Sequence, residues 1–506
     1  MRPMNASRRV FLRHAGALSG LGAVGAPLAL GLTAAGVATA AAAADYKAIV
    51  CIFLYGGNDS INMVLPTDTV SFANYTAARN QAPDSIALLA PGIARGGNGT
   101  APAQLGGVLP VNPANPQGRS FALHPTMTAL QTMFNTDKTL AIVPNVGPLI
   151  LPTSKAQFAL ASHPKPLNLF SHNDQQSTWQ TFLPEGATVG WGGRMGDLLA
   201  SANAQPVFTA VAAGGNAAWL SGNSVRQYQV STSSPIRMGG ATVYGSADVA
   251  AAMQRITASA RGTGVFEKDL AAVARRSIDA EATLTAAMKP PGDALFGTPA
   301  TPYNPATDPK LLHPNPNGGT SFNPLAQQLQ VVARMIEASG AAGIGAKRQV
   351  FFVSLGGFDT HDVQNANHAQ LMARLAHGMR YFSDTLTAMG VSSQVTTFTA
   401  SDFGRTFTSN CDGTDHGWGA HHFVMGGAVK GGDLYGAFPV YGTRNPNNNN
   451  FDSSPDQIGN GALLPTTSVD QLGATLGAWF GLSEPQSLDV FPNLHNFATR
   501  RLGFMG

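Results

Sequence analysis

Short runs of consecutive apolar residues recur along this chain of 506 residues, with helical patterns between several of them. Residues 47–54, KAIVCIFL, run straight into Gly56-Gly57. An apolar run without alternation predicts a strand buried on both faces, as in a parallel sheet. Residues 140–143, 206–211, 349–355 and 395–399 repeat the pattern. The clearest helix starts at Asn323-Pro324, a favourable cap and first-turn pair, and places Leu325, Leu329, Val332 and Ile336 on one face. It leads directly into the 349–355 run. Phe266, Leu270, Val273 and Leu284 mark a second helix, and Leu472, Leu476 and Trp479 a third. Strand and helix alternate, which predicts an α/β fold: a mixed, mostly parallel central sheet with helices on both faces.

Two stretches interrupt the alternation. Residues 289–324 are rich in Pro, Gly, Asn and Thr and read as a surface excursion, and Asn445–Asn450 is a polar loop. Neither is flanked by enough separate core to require a boundary, so residues 45–506 read as a single domain.

The first 44 residues differ in kind. Ser7-Arg8-Arg9-Val10-Phe11-Leu12 precedes an uncharged Ala/Gly/Leu-rich stretch that ends in Ala42-Ala43-Ala44. Paired arginines, an apolar segment and small residues at the cleavage point predict a twin-arginine signal peptide. The twin-arginine translocase is then a partner, and the product is periplasmic or secreted. No later run reaches the ~20 apolar residues of a membrane span, so no stable span is expected after cleavage. Arg2, Arg8, Arg9 and Arg13 leave with the leader, so 31 − 4 = 27 Lys+Arg face 28 Asp+Glu in the mature chain. That near-neutral balance, without basic runs, argues against nucleic acid. Two cysteines, Cys51 and Cys411, make no disulfide scaffold, though a bond between them is not excluded by sequence.

In open α/β sheets ligands sit beyond the carboxyl ends of the strands. The segments there are Gly56-Gly-Asn-Asp-Ser60, Gly356-Gly-Phe-Asp-Thr-His-Asp362 and Ser401-Asp-Phe-Gly-Arg-Thr406, followed by Asp415-His-Gly-Trp-Gly-Ala-His-His422. Carboxylates and imidazoles are ligands for divalent cations. Any one loop taken alone reads first as turn or capping chemistry, but capping needs no histidine, and the acidic or His-bearing loops after three predicted strands reverse that reading. Ser171, opening a segment that continues His172-Asn-Asp-Gln175, fits a nucleophile at a helix N-terminus and equally a plain N-cap; Ser60 is the rival hydroxyl. Gly56-Gly57 lacks the G-x-G-x-x-G pattern of a dinucleotide site, which weakens an oxidoreductase reading.

Gly56-Gly-Asn-Asp59, Leu123-His-Pro125, Ser171-His-x-x-Gln175, Gly190-Trp-x-Gly-Arg194, Gly357-Phe-Asp-Thr-His361, Ser401-Asp-Phe-Gly-Arg-Thr406 and Gly413-Thr-Asp-His-Gly417 follow one another in order. With residues 423–432 they resemble the exported bacterial family catalogued as domain-of-unknown-function family 1501, over about residues 45–500. That family is grouped with the alkaline-phosphatase-like superfamily, which also holds sulfatases and cofactor-independent phosphoglycerate mutases. The resemblance implies an alkaline-phosphatase-like sheet with one or two divalent ions (zinc, manganese, magnesium or calcium) at the strand ends. Asp59 resembles the first-strand metal ligand, Asp359 and His361 the Asp and His of one ion, Asp402 the carboxylate nearer the other, and His416 the late histidine. The superfamily's Asp-His spacing is longer than Asp359-Thr-His361, and Phe403 stands where its phosphatases often carry His.

The expectation is therefore an exported metal-dependent hydrolase of phosphate or sulfate esters. Ser171 would attack, and Arg405 or His172 would bind the anionic ester; Arg405 reads equally as a structural ion-pair member. The alternative is a non-catalytic exported member that binds a cell-envelope polymer or a protein partner.

Overall fold

The computed structural model describes residues 46–506 except 342. The predicted signal peptide, with Arg8 and Arg9, lies outside them. Residues 47–54 form the heart of β1 (Lys47–Tyr55), near the middle of an eight-stranded sheet. The other strands are β2 (Leu140–Gly147), β3 (Ala210–Ala212), β4 (Tyr228–Gln229), β5 (Arg348–Gly356), β6 (Val395–Ser401), β7 (Ala420–Met425) and β8 (Thr467–Ser468). Their order across the sheet is β8-β2-β7-β6-β1-β5-β3-β4. Only β7 runs against the rest: it pairs antiparallel with both β6 and β2, and the other pairs are parallel.

β1 shows why the run carries no alternation. Ala48, Val50, Ile52 and Leu54 enter one apolar cluster, and Ile49, Cys51 and Phe53 enter another on the opposite face. Successive side chains point to opposite faces, so a strand covered on both sides must be apolar throughout. The first face is covered by α5 (Pro324–Ala338) and α6 (Gln364–Ala388) through Leu325, Leu329, Leu375 and Met379. The second is covered by α3 (Trp191–Leu199) and α7 (Val469–Phe480) through Trp191, Met195, Leu472 and Leu476. At the head of α5 the Asn323 side chain accepts from the Leu325 amide, as an N-cap should.

Several expectations shift in detail. Pro206–Phe208 is a single 3-10 turn, and only Ala210–Ala212 joins the sheet; proline has no amide to contribute to a ladder. β7 escapes sequence reading because His421 and His422 interrupt it. Both are fully buried strand residues rather than loop ligands, and burial pushes each imidazole down to about 3. In the helix α4 (Val265–Ala287), Phe266 and Leu270 are 91% and 65% exposed; of the expected face Leu284 is buried, and Ala271, Ala274 and Ala280 pack beside it. The stretch 289–324 is anchored by Phe296 and Leu311, both completely buried, and contains the short antiparallel pair Leu312–Pro314 and Thr320–Phe322. Cys51 is buried, Cys411 is exposed, and no bond joins them. Among the described residues no helix is long and apolar enough to cross a membrane.

Candidate metal centre at the strand ends

The carboxyl ends of β1, β5 and β6 lie side by side, with Tyr55 opposite Gly356 and Leu54 opposite Ser401. Their outgoing loops therefore share one edge. The loop after β1 passes so close to its neighbours that a Cβ on Gly56 would strike the Asp359 amide, and one on Gly57 the Phe403 ring; both glycines also have positive φ. A hairpin of Arg405–Ser409 and Thr414–His416 follows β6 and sets Arg405 opposite His416. The fourth element is α2 (His172–Thr181), anchored when Gln175 Nε2 donates to the Gly417 carbonyl at 3.1 Å.

His172, Asp359 and His416 converge where these elements meet. Each offers one ligand atom, and the three atoms lie within 4.8 Å of one another. Asp359 Oδ1 is 3.4 Å from His172 Nε2 and 3.5 Å from His416 Nε2. His361 stands beside them, its Nε2 3.1 Å from Asp359 Oδ1 and 2.9 Å from His416 Nε2.

The far side of each ring decides what the near side offers. His172 Nδ1 lies 2.9 Å from Asp402 Oδ2, and His416 Nδ1 lies 2.7 Å from the Phe170 carbonyl. Carboxylates and carbonyls only accept, so both Nδ1 atoms carry hydrogen, and the neutral rings present lone pairs at Nε2. His361 Nδ1 similarly faces Asp415 Oδ1 at 3.4 Å. Phe170 holds its carbonyl in place with φ at 73°, a left-handed conformation that costs a bulky residue of order 1–3 kcal/mol.

Charge around the cluster follows the same contacts. The Asp402 hydrogen bond, opposed by burial and helped by the Asp402 and Asp359 charges, holds His172 above its ordinary value. Burial, opposed by the Phe170 hydrogen bond and helped by the Arg405 charge, holds His416 below it, which favours the neutral ligand form. Burial also acts on Asp359, but Arg405 overrides it and keeps the carboxyl below the usual range.

The predicted residues thus separate. Asp359 and His416 are in the cluster, His361 adjoins it, and Asp402 stands behind His172. His172, expected to bind an ester, is itself one of the three potential ligands. Asp59 faces away: both its oxygens are bound by Arg79, at 2.5 and 2.9 Å, in a fully buried pair. Arg405 is also fully buried. It donates to the carbonyls of Gly56, Gly57, Phe358 and Thr414 and pairs with Asp359, so it ties three loops together. Ser171 caps α2, its Oγ donating to Asp174 Oδ2 at 2.9 Å, and Ser60 is completely buried. Sequence reading missed Arg79, at the end of the helix α1 (Thr69–Arg79), and Gln364, because neither sits in a loop that follows a strand.

Comparison with known proteins adds a family and little more. No curated protein matches this chain. Among solved structures, a crystal structure titled as Ps i-CgsB in complex with k-i-k-neocarrahexaose is 8% identical, with a TM-score of 0.34, covering 89% of this chain and 77% of that one. Another, from work on glycosaminoglycan metabolism by Bacteroides thetaiotaomicron, is 9% identical, with a TM-score of 0.31, covering 87% and 74%. Likeness at these scores carries no weight for fold or activity. A family model matches residues 46–489, and on that match the chain belongs to the family described as protein of unknown function DUF1501.

Proposed function

We propose that this protein is an exported metal-dependent hydrolase of phosphate or sulfate esters, with one divalent ion held by His172, Asp359 and His416. One observation carries the reading: two imidazoles, each fixed by a hydrogen bond at Nδ1, turn their Nε2 lone pairs toward one carboxylate oxygen. One orphaned atom fits a cation there: His172 Nε2 is buried with no hydrogen-bond partner. The spacings of 3.4 and 3.5 Å from Asp359 Oδ1 to the two Nε2 atoms also suit ligation, since bonds of 2.0–2.1 Å in a tetrahedron put ligand atoms ~3.3 Å apart. Imidazole with carboxylate favours zinc over magnesium or calcium. The two-ion expectation drawn from the alkaline-phosphatase-like resemblance has less support, because Asp59 is committed to Arg79.

An ion of this kind polarises an ester oxygen and lowers the pKa of a water. The chain's own groups do the rest. Asp402 and the Phe170 carbonyl fix the ligand rings. His361 is half-exposed and backed by Asp415, and it can pass a proton to the departing oxygen or bind the anionic group. Ser171 Oγ is tied to Asp174 and Ser60 is buried, so the attacking oxygen is a water. Arg405 assembles the loops rather than binding the ester. Export by the twin-arginine translocase completes the proposal and rests on Arg8-Arg9 and the apolar leader.

The non-catalytic reading, a metal-bearing exported protein that binds a cell-envelope polymer, is favoured by one specific observation: neither the hydroxyl nor the guanidinium expected for catalysis is free. A panel of aryl phosphate and aryl sulfate esters, assayed with and without added zinc, separates the two. Turnover that a chelator removes supports the hydrolase. Full metal loading without turnover on any ester supports the binding protein.

A further inference from the structure

Gln364, the first residue of α6, bridges the loop that carries Asp359 and His361 to the strand that carries His416, yet touches none of these three side chains itself. Its Nε2 donates to Asp59 Oδ2 at 2.6 Å. Its Oε1 accepts from Thr414 Oγ1 at 2.8 Å and from Thr360 Oγ1 at 3.2 Å. These contacts fix the amide's orientation, because the carboxylate only accepts and hydroxyls can donate to the carbonyl oxygen. Thr360 stands between Asp359 and His361, and Thr414 lies two residues before His416. One buried side chain thereby holds the Asp359–His361 loop and the His416 strand in a single frame. Asp59 anchors the frame, and Arg79 binds both it and the Thr406 carbonyl, the latter at 3.0 Å. Gln364 is 1% exposed.

A second, independent feature points to the same residue. Val363, immediately before it, has φ at 49°. A β-branched side chain in the left-handed region is a real outlier, and such strain persists only where the surroundings over-determine it. Val363 is 51% exposed, so core packing does not enforce this conformation. The restraint comes from its neighbours: the Val363 amide donates to Asp412 Oδ2 at 3.2 Å, and the Gln364 amide to the Asp412 carbonyl at 2.9 Å.

We infer that Gln364 is a positioning residue that sets the separation of Asp359 from His416, and so the affinity of the metal centre. The inference rests on the metal-site reading above. It assigns Asp59 and Arg79 a role as the buried footing of that frame rather than as part of the ion's shell.

The test is zinc titration of chelator-treated, full-length mature protein by calorimetry, with thermal melting alongside. Gln364→Met keeps the side chain's length and removes all three hydrogen bonds. Gln330→Met is the control. Gln330 is equally buried and donates to the carbonyls of Pro291 and Phe296 and to Tyr303 Oη, away from the cluster. Both changes lower the melting temperature; only Gln364→Met weakens zinc binding, by roughly tenfold or more, and Gln330→Met leaves it within about twofold of wild type. If Gln364→Met fails to fold, Thr414→Val removes one link of the frame at constant shape and carries the same expectation. Wild-type affinity retained in Gln364→Met, or in Thr414→Val where that variant must decide, overturns the inference. A wild-type protein that binds no zinc overturns instead the metal site on which it depends.

Discussion

His172 Nδ1 donates to Asp402 Oδ2 across 2.9 Å, and that bond turns the opposite ring nitrogen toward Asp359 Oδ1, 3.4 Å away. Asp402 is 2% exposed and lies just beyond the end of β6, so the sheet itself fixes the orientation of a residue that belongs to a different element.

Removing that orienting carboxylate should cost affinity more than stability. Asp402→Ala is expected to weaken zinc binding 10–100-fold, the usual effect of losing a carboxylate behind a ligating histidine. Calorimetric titration checks it, and unchanged affinity would detach Asp402 from the site.

The same hydrogen bond gives binding a pH dependence. Asp402 holds the His172 pKa above its ordinary value, so a metal must displace a ring proton over a wider acidic range than at a free imidazole. Zinc affinity should therefore fall steadily as pH drops below that raised pKa, by up to about tenfold per unit, and level off above it. Proton release can be measured directly by titrating in buffers of different ionisation enthalpy.

The buried pair beneath the site makes a stability prediction. Burial pushes the Asp59 carboxyl up, but Arg79 more than offsets this and holds it below the ordinary value. A carboxylate so depressed contributes stability that is present above its unfolded pKa and is lost as pH falls through the folded one. Arg79→Leu leaves the charge uncompensated and should cost ~3–5 kcal/mol at neutral pH. The deficit should shrink in acid, and Asp59→Asn should recover part of it in the double variant. Denaturant unfolding at several pH values reads all three.

Much of this arrangement could be read from the chain, and the gaps have physical causes. A strand buried on both faces announces itself as an unbroken apolar run, so β1, β5 and β6 and the loops beyond them were visible. His361 and His416 stand out because histidine has no use in capping, and the family resemblance marks Asp359 and Asp402 beside them. β7 was hidden because His421 and His422 break its run, and only the tertiary packing reveals that they are core. The resemblance marks Asp59 as a ligand, and nothing local announces Arg79, twenty positions on, as its partner. The role of Gln364 lies in hydrogen bonds to Asp59 and Thr414, both distant in sequence, and to Thr360, and leaves no periodic trace. Phe266 and Leu270 show the reverse case, where helical periodicity is present but the face it marks stays in solvent.

Export makes its own prediction. Changing Arg8 and Arg9 together to lysine preserves charge and removes the guanidinium forks that a pair-specific receptor can read. Periplasmic accumulation of the double variant should fail, and normal accumulation would point to a different export route.

The central claim, that His172, Asp359 and His416 hold one divalent ion, is tested most directly by elemental analysis of the purified mature protein before and after zinc loading and gel filtration. The account predicts close to one zinc per chain after loading, reduced to background in His172→Ala and in Asp359→Ala. A folded wild-type protein that retains no metal, or variants that retain as much as wild type, would contradict it.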